Sequence, residues 1–406
     1  MSRLASRWNP WRGLEGLPLS VWIVSAATLI NRMGTMVLPF LAIYITDEMG
    51  LPPSGAGVAL MAFGIGGFLS APLGGWLSDR IGAVWVMVGA FVGSGALLLT
   101  FPFVDRYETL LGLIGVWALV NESARPATLV ALTDGLDPTQ RKAAIALSRL
   151  AMNLGMGIGP AVGGVLVATS FDLLFWVDGI TAMTAGLFLA LTVVQIGWKR
   201  PVRDGVVASP VEVIGALLDR KLMGLLFGTF LVILVFDQHR STLPLFITDN
   251  LGFSEQFYGS LFIINVAIIL LLEVPLNLKT AHWPHGRTLA LGAVLVALGF
   301  GATALAVGPG SVIATVVVWT FGEMLLFPSM AAYVADVAPE ERRGAYMGAY
   351  GLAIWVAVIP APLAGTWLLE HYGGGTLWGA ALVVGLLAAV AMGRLRDTRT
   401  LHPTGA

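Results

Sequence analysis

The chain has 406 residues, 57% of them hydrophobic and only 12% charged, with a formal net charge of -1. A soluble domain carries about 25% charged residues, so a water-soluble fold is excluded; no basic tract interleaves with aromatics, which argues against nucleic acid as a partner. Cysteine is absent, removing disulfides, thiolate metal sites and cysteine nucleophiles.

In chain order, the first segment holds Arg3, Arg7 and Arg12 but no small-residue cleavage signal before the apolar run near Leu19, so the first span is expected to be retained. A spanning helix needs about 20 mostly apolar residues. Pro, Gly and charge divide the chain into twelve such stretches, near 19–46, 55–78, 83–103, 107–132, 143–169, 173–196, 222–248, 257–278, 287–307, 311–335, 343–369 and 375–393. With both termini cytoplasmic, eighteen loop and terminal Lys and Arg residues fall inside and Arg106 alone falls outside, the asymmetry that cytoplasmic loops show.

Separated matches share one offset of 202 residues. ITDEMGL (Ile45 to Leu51) aligns with ITDNLGF (Ile247 to Phe253), Gly57 with Gly259, Pro126 with Pro328, and Asp134 with Asp336. The fold expected is all-α and membrane-integral, with twelve transmembrane helices in two pseudo-symmetric six-helix bundles. The divisions are a cytoplasmic segment 1–18, a bundle 19–196, a cytoplasmic linker 197–221, a second bundle 222–393 and a tail 394–406. Parallel repeats of this kind are one transporter design, with a substrate site near the midplane between halves.

The loop after the second span reads GGWLSDRIGA, with Gly75, Asp79, Arg80 and Gly82 resembling the gating signature of the major facilitator superfamily, from which Ala83 and Val84 depart where that family usually has basic residues. The fifth span contains NLGMGIGPAVGG, in which Gly155, Gly159, Pro160, Gly163 and Gly164 allow close helix approach and bending. With GEMLLFP in the tenth span, these motifs resemble the major facilitator superfamily, most of all bacterial twelve-span drug:proton antiporters. The fourth span departs from the pattern, carrying NESARP (Asn121 to Pro126) in place of an arginine followed by glutamine-glycine. The resemblance implies alternating access in the cell inner membrane, a small-molecule substrate, the proton as coupling ion, no cofactor, contact with membrane lipid and a monomeric state.

A charge at the centre of a spanning helix costs roughly 2.5 to 3.5 kcal/mol on insertion scales, so each is a functional candidate. Arg32, Glu122, Arg125, Asp237, His239, Arg240 and Glu323 lie mid-span; Arg149, Asp178 and Glu273 lie nearer span ends. Glu122 with Arg125 and Asp237 with Arg240 are three apart, so each pair shares a helix face, as a protonation switch or as a structural staple. Glu323 has no arginine within a turn of its own helix; its partner would be Arg240 or Arg32 across a cavity, or it would hold its proton in an apolar setting. Glu323 and Asp237 are the favoured proton carriers, with Glu122 and His239 as further candidates. Asp178 reads as a hydrogen-bonding residue. Phe40, Trp117, Phe236, Trp319 and Phe327 are candidates to line a substrate cavity. No histidine has metal-ligand spacing, and no serine sits in a nucleophile elbow.

The leading expectation is a proton-coupled exporter of small organic or amphiphilic compounds and not an enzyme. The alternatives are proton-coupled uptake of a peptide, sugar or other nutrient, favoured by the polar run FDQHRST (Phe236 to Thr242), and a non-transporting sensor or scramblase.

Overall fold

The computed structural model describes residues 16–197 and 210–395. Expectations for Arg3, Arg7, Arg12, Lys199, Arg200, Arg203, Arg396, Arg399 and His402 lie outside the described residues. Within them the chain is helical, because a segment in hydrocarbon must satisfy its backbone groups internally. Ten helical stretches are long and apolar enough to cross a bilayer, and side chains such as Leu191, Phe227, Leu271 and Val274 stay exposed on their outer faces.

The count of ten differs from the expected twelve for two local reasons. The fourth is split at Ser123 into α5 (Tyr107–Glu122) and α6 (Ala124–Thr133). The last two form one run, Glu340–Gly393, of 54 residues. At 1.5 Å per residue such a run would reach about 80 Å, more than twice the roughly 30 Å hydrocarbon core. It contains α16 (Arg343–Val358) and α17 (Pro360–Gly393), and α17 is interrupted where Gly373 adopts φ 76°, inside the expected 369–375 turn.

The first span of each half is broken in the same way. In the first half, α1 (Leu19–Gly34) stops, α2 (Val37–Ile43) begins, and a π-helix follows at Tyr44–Glu48. In the second half, α10 (Arg220–Phe236), α11 (Gln238–Ser241), α12 (Leu243–Leu245) and a π-helix at Phe246–Asn250 follow each other. The two π-helices are 202 residues apart, and so are Gly50 (φ 65°) and Gly252 (φ 68°), which turn the chain out of them. Thr46 donates to the carbonyls of Ala42 and Ile43 and to Asp47; Thr248 donates to those of Pro244 and Leu245 and to Asp249. The ITD repeat thus encodes an irregular turn, held by the same threonine in both halves.

The break at Thr35 and Met36 frees backbone donors inside the bundle. Asp178, buried on α8 (Phe171–Gln195), accepts from the N–H groups of Met36 and Val37, both at 3.0 Å. It is therefore the hydrogen-bonding residue its position suggested, and its partners belong to the first span. In the second half Gln238 takes a comparable role, donating to the carbonyls of Leu234 and Ala361 at 2.9 Å.

The halves meet along two related seams. In one, α3 (Pro53–Ile81) packs on α17: a Cβ on Gly57 would lie 2.1 Å from Thr366 and 3.1 Å from the Pro362 carbonyl oxygen. In the other, α13 (Glu255–Thr280) packs on α7 (Pro138–Val167), and a Cβ on Gly259 would lie 2.4 Å from the Pro160 carbonyl oxygen. Pro362 stands 202 residues after Pro160, as Gly259 does after Gly57. Deeper in, Gly64 meets Ile359 and Gly157 meets Val266, so the glycine changes sides between the seams. The other motif glycines of α7 face the first span: Gly155 meets Arg32, Gly159 meets the carbonyls of Arg32, Met33 and Thr35, and Gly163 meets Met36 and Phe40. Gly164 turns to Glu255 and Gln256 of the other half. One helix thereby contacts its own bundle and the opposite one through different glycines.

Between the halves, Asp219 caps α10 by accepting from Lys221 N–H at 2.8 Å and also accepts from the Tyr346 hydroxyl of α16. The tyrosine bond, above all, holds the partly exposed Asp219 carboxyl below the usual carboxylate range.

Two outcomes follow from these contacts. Asp178→Ala leaves two buried N–H groups without an acceptor, each worth roughly 1 to 3 kcal/mol; unfolding in detergent should show a loss of about 2 to 4 kcal/mol, and a smaller one for Asp178→Asn. Unchanged melting of Asp178→Ala would contradict the capping role. A carboxyl depressed on folding contributes stability that is complete above its unfolded value near about 4 and is lost as pH falls through the lowered one. Tyr346→Phe should therefore melt slightly below wild type at neutral pH, with the two melting curves converging below about pH 4.

Candidate functional site

The break in the seventh span sets the centre of the site. Asp237 ends α10, and Arg240, one turn on, forms an ion pair with it. The other oxygen of Asp237 is buried without a hydrogen-bond partner. Of the run FDQHRST, Phe236, Asp237, His239 and Arg240 line a cavity of about 370 Å³ between the halves. Ser241 and Thr242 instead donate to Gln238. The polar run thus splits into a cavity face and a face that satisfies itself against α17, leaving fewer free polar groups than its composition suggests.

His239 sits among rings, 4.9 Å from Phe236 and 6.3 Å from Trp319 between centroids. Its Nδ1 is 2.7 Å from the Phe236 carbonyl. A carbonyl only accepts, so Nδ1 carries the hydrogen and Nε2 of the neutral ring is left as an acceptor. The backbone carbonyl of His239 accepts from the Tyr258 hydroxyl at 3.0 Å, tying α11 to α13.

Glu323, on α15 (Pro309–Val337), lines the same cavity. Its carboxylate accepts from the Asn265 amide at 2.9 Å, and that amide also donates to Thr320. Among the described residues no cation lies within ion-pair reach of Glu323. Of the alternatives left open by the sequence, pairing with Arg240 or Arg32 is not found: Arg240 is engaged with Asp237, and Arg32 lines a different cavity.

That second cavity, of about 440 Å³, lies between α1, α6, α7 and α16 and shares Arg125, Ile354 and Trp355 with the first. Arg32, Arg125 and Arg149 all border it. Arg125 lies 3.4 Å from Glu122 through Nε; its side chain is 57% exposed into the cavities while that of Glu122 is 6% exposed. Glu122 also accepts from the Asn121 amide at 3.1 Å. Arg149 bonds Glu273 at 2.5 Å, an ion pair that joins α7 to α13 across the two halves.

Phe236, Trp319 and Phe327 line the first cavity, with Phe236 and Phe327 edge to face at 5.1 Å. Phe40 and Trp117 line neither: Phe40 is fully buried against Tyr258, and Trp117 packs between Phe63 and Phe101. In the gating motif, Gly82 has φ 91° and turns α3 into α4 (Ala83–Leu98), and the Arg80 guanidinium sits 4.3 Å from the Trp76 ring. A Cβ on Gly75 would meet open space, whereas one on Gly74 would lie 2.6 Å from the Ser123 carbonyl. The close approach at the broken fourth span thus belongs to Gly74. Sequence reasoning passed over Asn265 and Trp355; Trp355 fills the space above Gly67 and walls both cavities. Among the described residues no group of three or more metal-binding side chains converges.

Comparison with known proteins agrees with this architecture. A sodium, lithium, potassium/proton antiporter of Planococcus maritimus is 24% identical, with 82% of this chain and 86% of that protein covered. The multidrug resistance protein MdtH of Aeromonas salmonicida is 22% identical over 92% and 94%. A crystal structure of a POT family transporter in complex with a thioalcohol-conjugated peptide superposes with a TM-score of 0.79, covering 94% of this chain and 96% of that one; at 15% identity the likeness is one of fold. The sequence pattern of the Major Facilitator Superfamily matches residues 24–239 and again 225–405, once per half; this multi-pass membrane protein is a transporter of the Major Facilitator Superfamily.

Proposed function

We propose that the protein is a proton-coupled exporter of small organic compounds that works by alternating access, with Glu323 as the principal proton carrier. The observation that carries this reading is the setting of Glu323, a carboxyl group in an aromatic cavity held by an amide and, among the described residues, by no cation. Proton and substrate can then compete for one group, which is the requirement for exchange. The antiporter and multidrug relatives support the direction.

Asp237 and Arg240 form the second element. Protonation of Asp237 would release Arg240 beside His239 and loosen the break of the seventh span. The membrane field supplies about 2.3 kcal/mol per charge per 100 mV, enough to bias such a step.

The packing also supports a conformational assignment. At the end of the bundle carrying the π-helices the halves are in contact: Ser54 N–H donates to Glu370 at 2.8 Å, and Gly57 and Gly164 abut the opposite half. The second cavity lies toward the other end, where Arg149 and Gly348 border it. With the direction assigned from the Lys and Arg distribution, the closed end is outer and the state faces the cytoplasm, the state that would load an exported substrate.

In proteoliposomes with an imposed pH gradient, Glu323→Gln, shown to be folded by gel filtration and melting, should reduce proton-coupled efflux at least tenfold. Wild-type rates in that variant would sink the assignment. For Asp237, removing one partner of a buried pair costs roughly 3 to 5 kcal/mol, so Asp237→Asn alone should melt early. The double variant Asp237→Asn with Arg240→Gln should recover most of that stability yet still lose coupling; recovery of both would make the pair a staple only.

A further inference from the structure

We propose that Arg32, together with Arg125, is the recognition site for an anionic group, and that the substrate is an amphoteric aromatic compound, acidic at one end and carrying a protonated amine at the other. The inference deepens the transporter reading above and rests on it for the assumption that both cavities belong to one substrate path.

The charges around the second cavity do not balance locally. The carboxylates near Arg32 are turned to other groups: Asp178 takes the two freed N–H groups of α2, and Glu122 accepts from Asn121 through one oxygen while its other oxygen, 3.4 Å from Arg125 Nε, makes no hydrogen bond. Glu273, in reach of the third arginine, is held by Arg149. Arg32 is left with no hydrogen bond or ion pair among the described residues, and only at longer range does it feel Glu122 and Asp178 as attraction and Arg125 as repulsion. Its stem is fixed, because Gly155 of α7 lies directly against it. Arg125 engages Glu122 through Nε, which leaves its terminal amino groups facing the cavity that Arg32 also borders. Two guanidinium forks that repel each other are what a carboxylate relieves best, since each fork can donate two parallel hydrogen bonds to it.

The opposite imbalance lies in the first cavity, where Glu323 has an amide partner but no cation. Arg125 and Trp355 wall both spaces, so one ligand can extend from Arg32 past the Trp355 indole toward Trp319 and Glu323. The intervening wall is mostly apolar, with Ile354, Val316 and Trp319 prominent. A peptide would leave its amide groups without partners there, at roughly 1 to 3 kcal/mol each; an aromatic body loses nothing. An amine at Glu323 would displace its proton, which makes this charge pattern consistent with exchange.

The test uses the purified full chain in detergent at neutral pH, with binding followed by tryptophan fluorescence and calorimetry. The probes are 4-(4-aminobutyl)benzoic acid, its methyl ester, which lacks the anion, and its N-acetyl derivative, which lacks the cation. Wild type should bind the amino acid probe at least tenfold more tightly than either derivative. Arg32→Gln should lose the preference for acid over ester while binding the ester as wild type does, and Arg32→Lys, keeping the charge without the fork, should retain part of it. Equal acid preference in Arg32→Gln would overturn the proposal. So would displacement of all three probes alike by phosphatidylglycerol in mixed micelles, which would assign the arginines to a lipid head group. If the acid preference holds while Glu323→Gln still couples efflux to protons, the anion site stands and only the proton assignment falls.

Discussion

Hydrocarbon offers no hydrogen bonds, and the first helix of each half is nevertheless interrupted. Everything central to this protein depends on how those interruptions are satisfied. In the first half a single carboxylate oxygen of Asp178 receives two backbone donors from across the bundle. In the second half Gln238 is at once donor to a carbonyl of α17 and acceptor for two hydroxyls. An unsatisfied backbone group in lipid costs several kcal/mol, so neither break would persist without its side chain. What each break yields is a few residues of backbone that can change direction, placed where the cavities begin.

The two seams bring the halves together through backbone. Glycine-lined contacts let backbones approach closely without interlocking side chains. The Arg149–Glu273 pair adds one strong, specific tie between the halves, on the side where the second cavity lies. A bundle packed by backbone contact at one end and tied by a partly exposed ion pair toward the other has two ends of different chemical character.

The legible features were the local ones. Glu122 with Arg125 and Asp237 with Arg240 are pairs because three residues separate them on a helix, and the common offset of the repeat is visible in any self-comparison. The illegible features join distant segments. Asp178 finds Met36 from 142 residues away and Arg149 finds Glu273 from 124, and no periodicity carries such information. Phe40 and Trp117 failed as cavity residues because facing depends on helix phase, and the breaks at Thr35 and Ser123 reset the phase beside each of them. Pro362 as counterpart of Pro160 was present in the sequence at the common offset, but its meaning appears only when both prolines are seen to face a glycine of the opposite half.

The paired π-helices reach beyond mechanics. A π-turn is a rare interruption of the helical ladder, most often found at functional sites. Here both copies share the position, the threonine that binds back, the aspartate beside it and the glycine that leaves the turn. The same irregularity at one common offset means that each half carries its own copy of the outer turn, so a change that straightens one π-turn has its matched control in the other half of the same molecule.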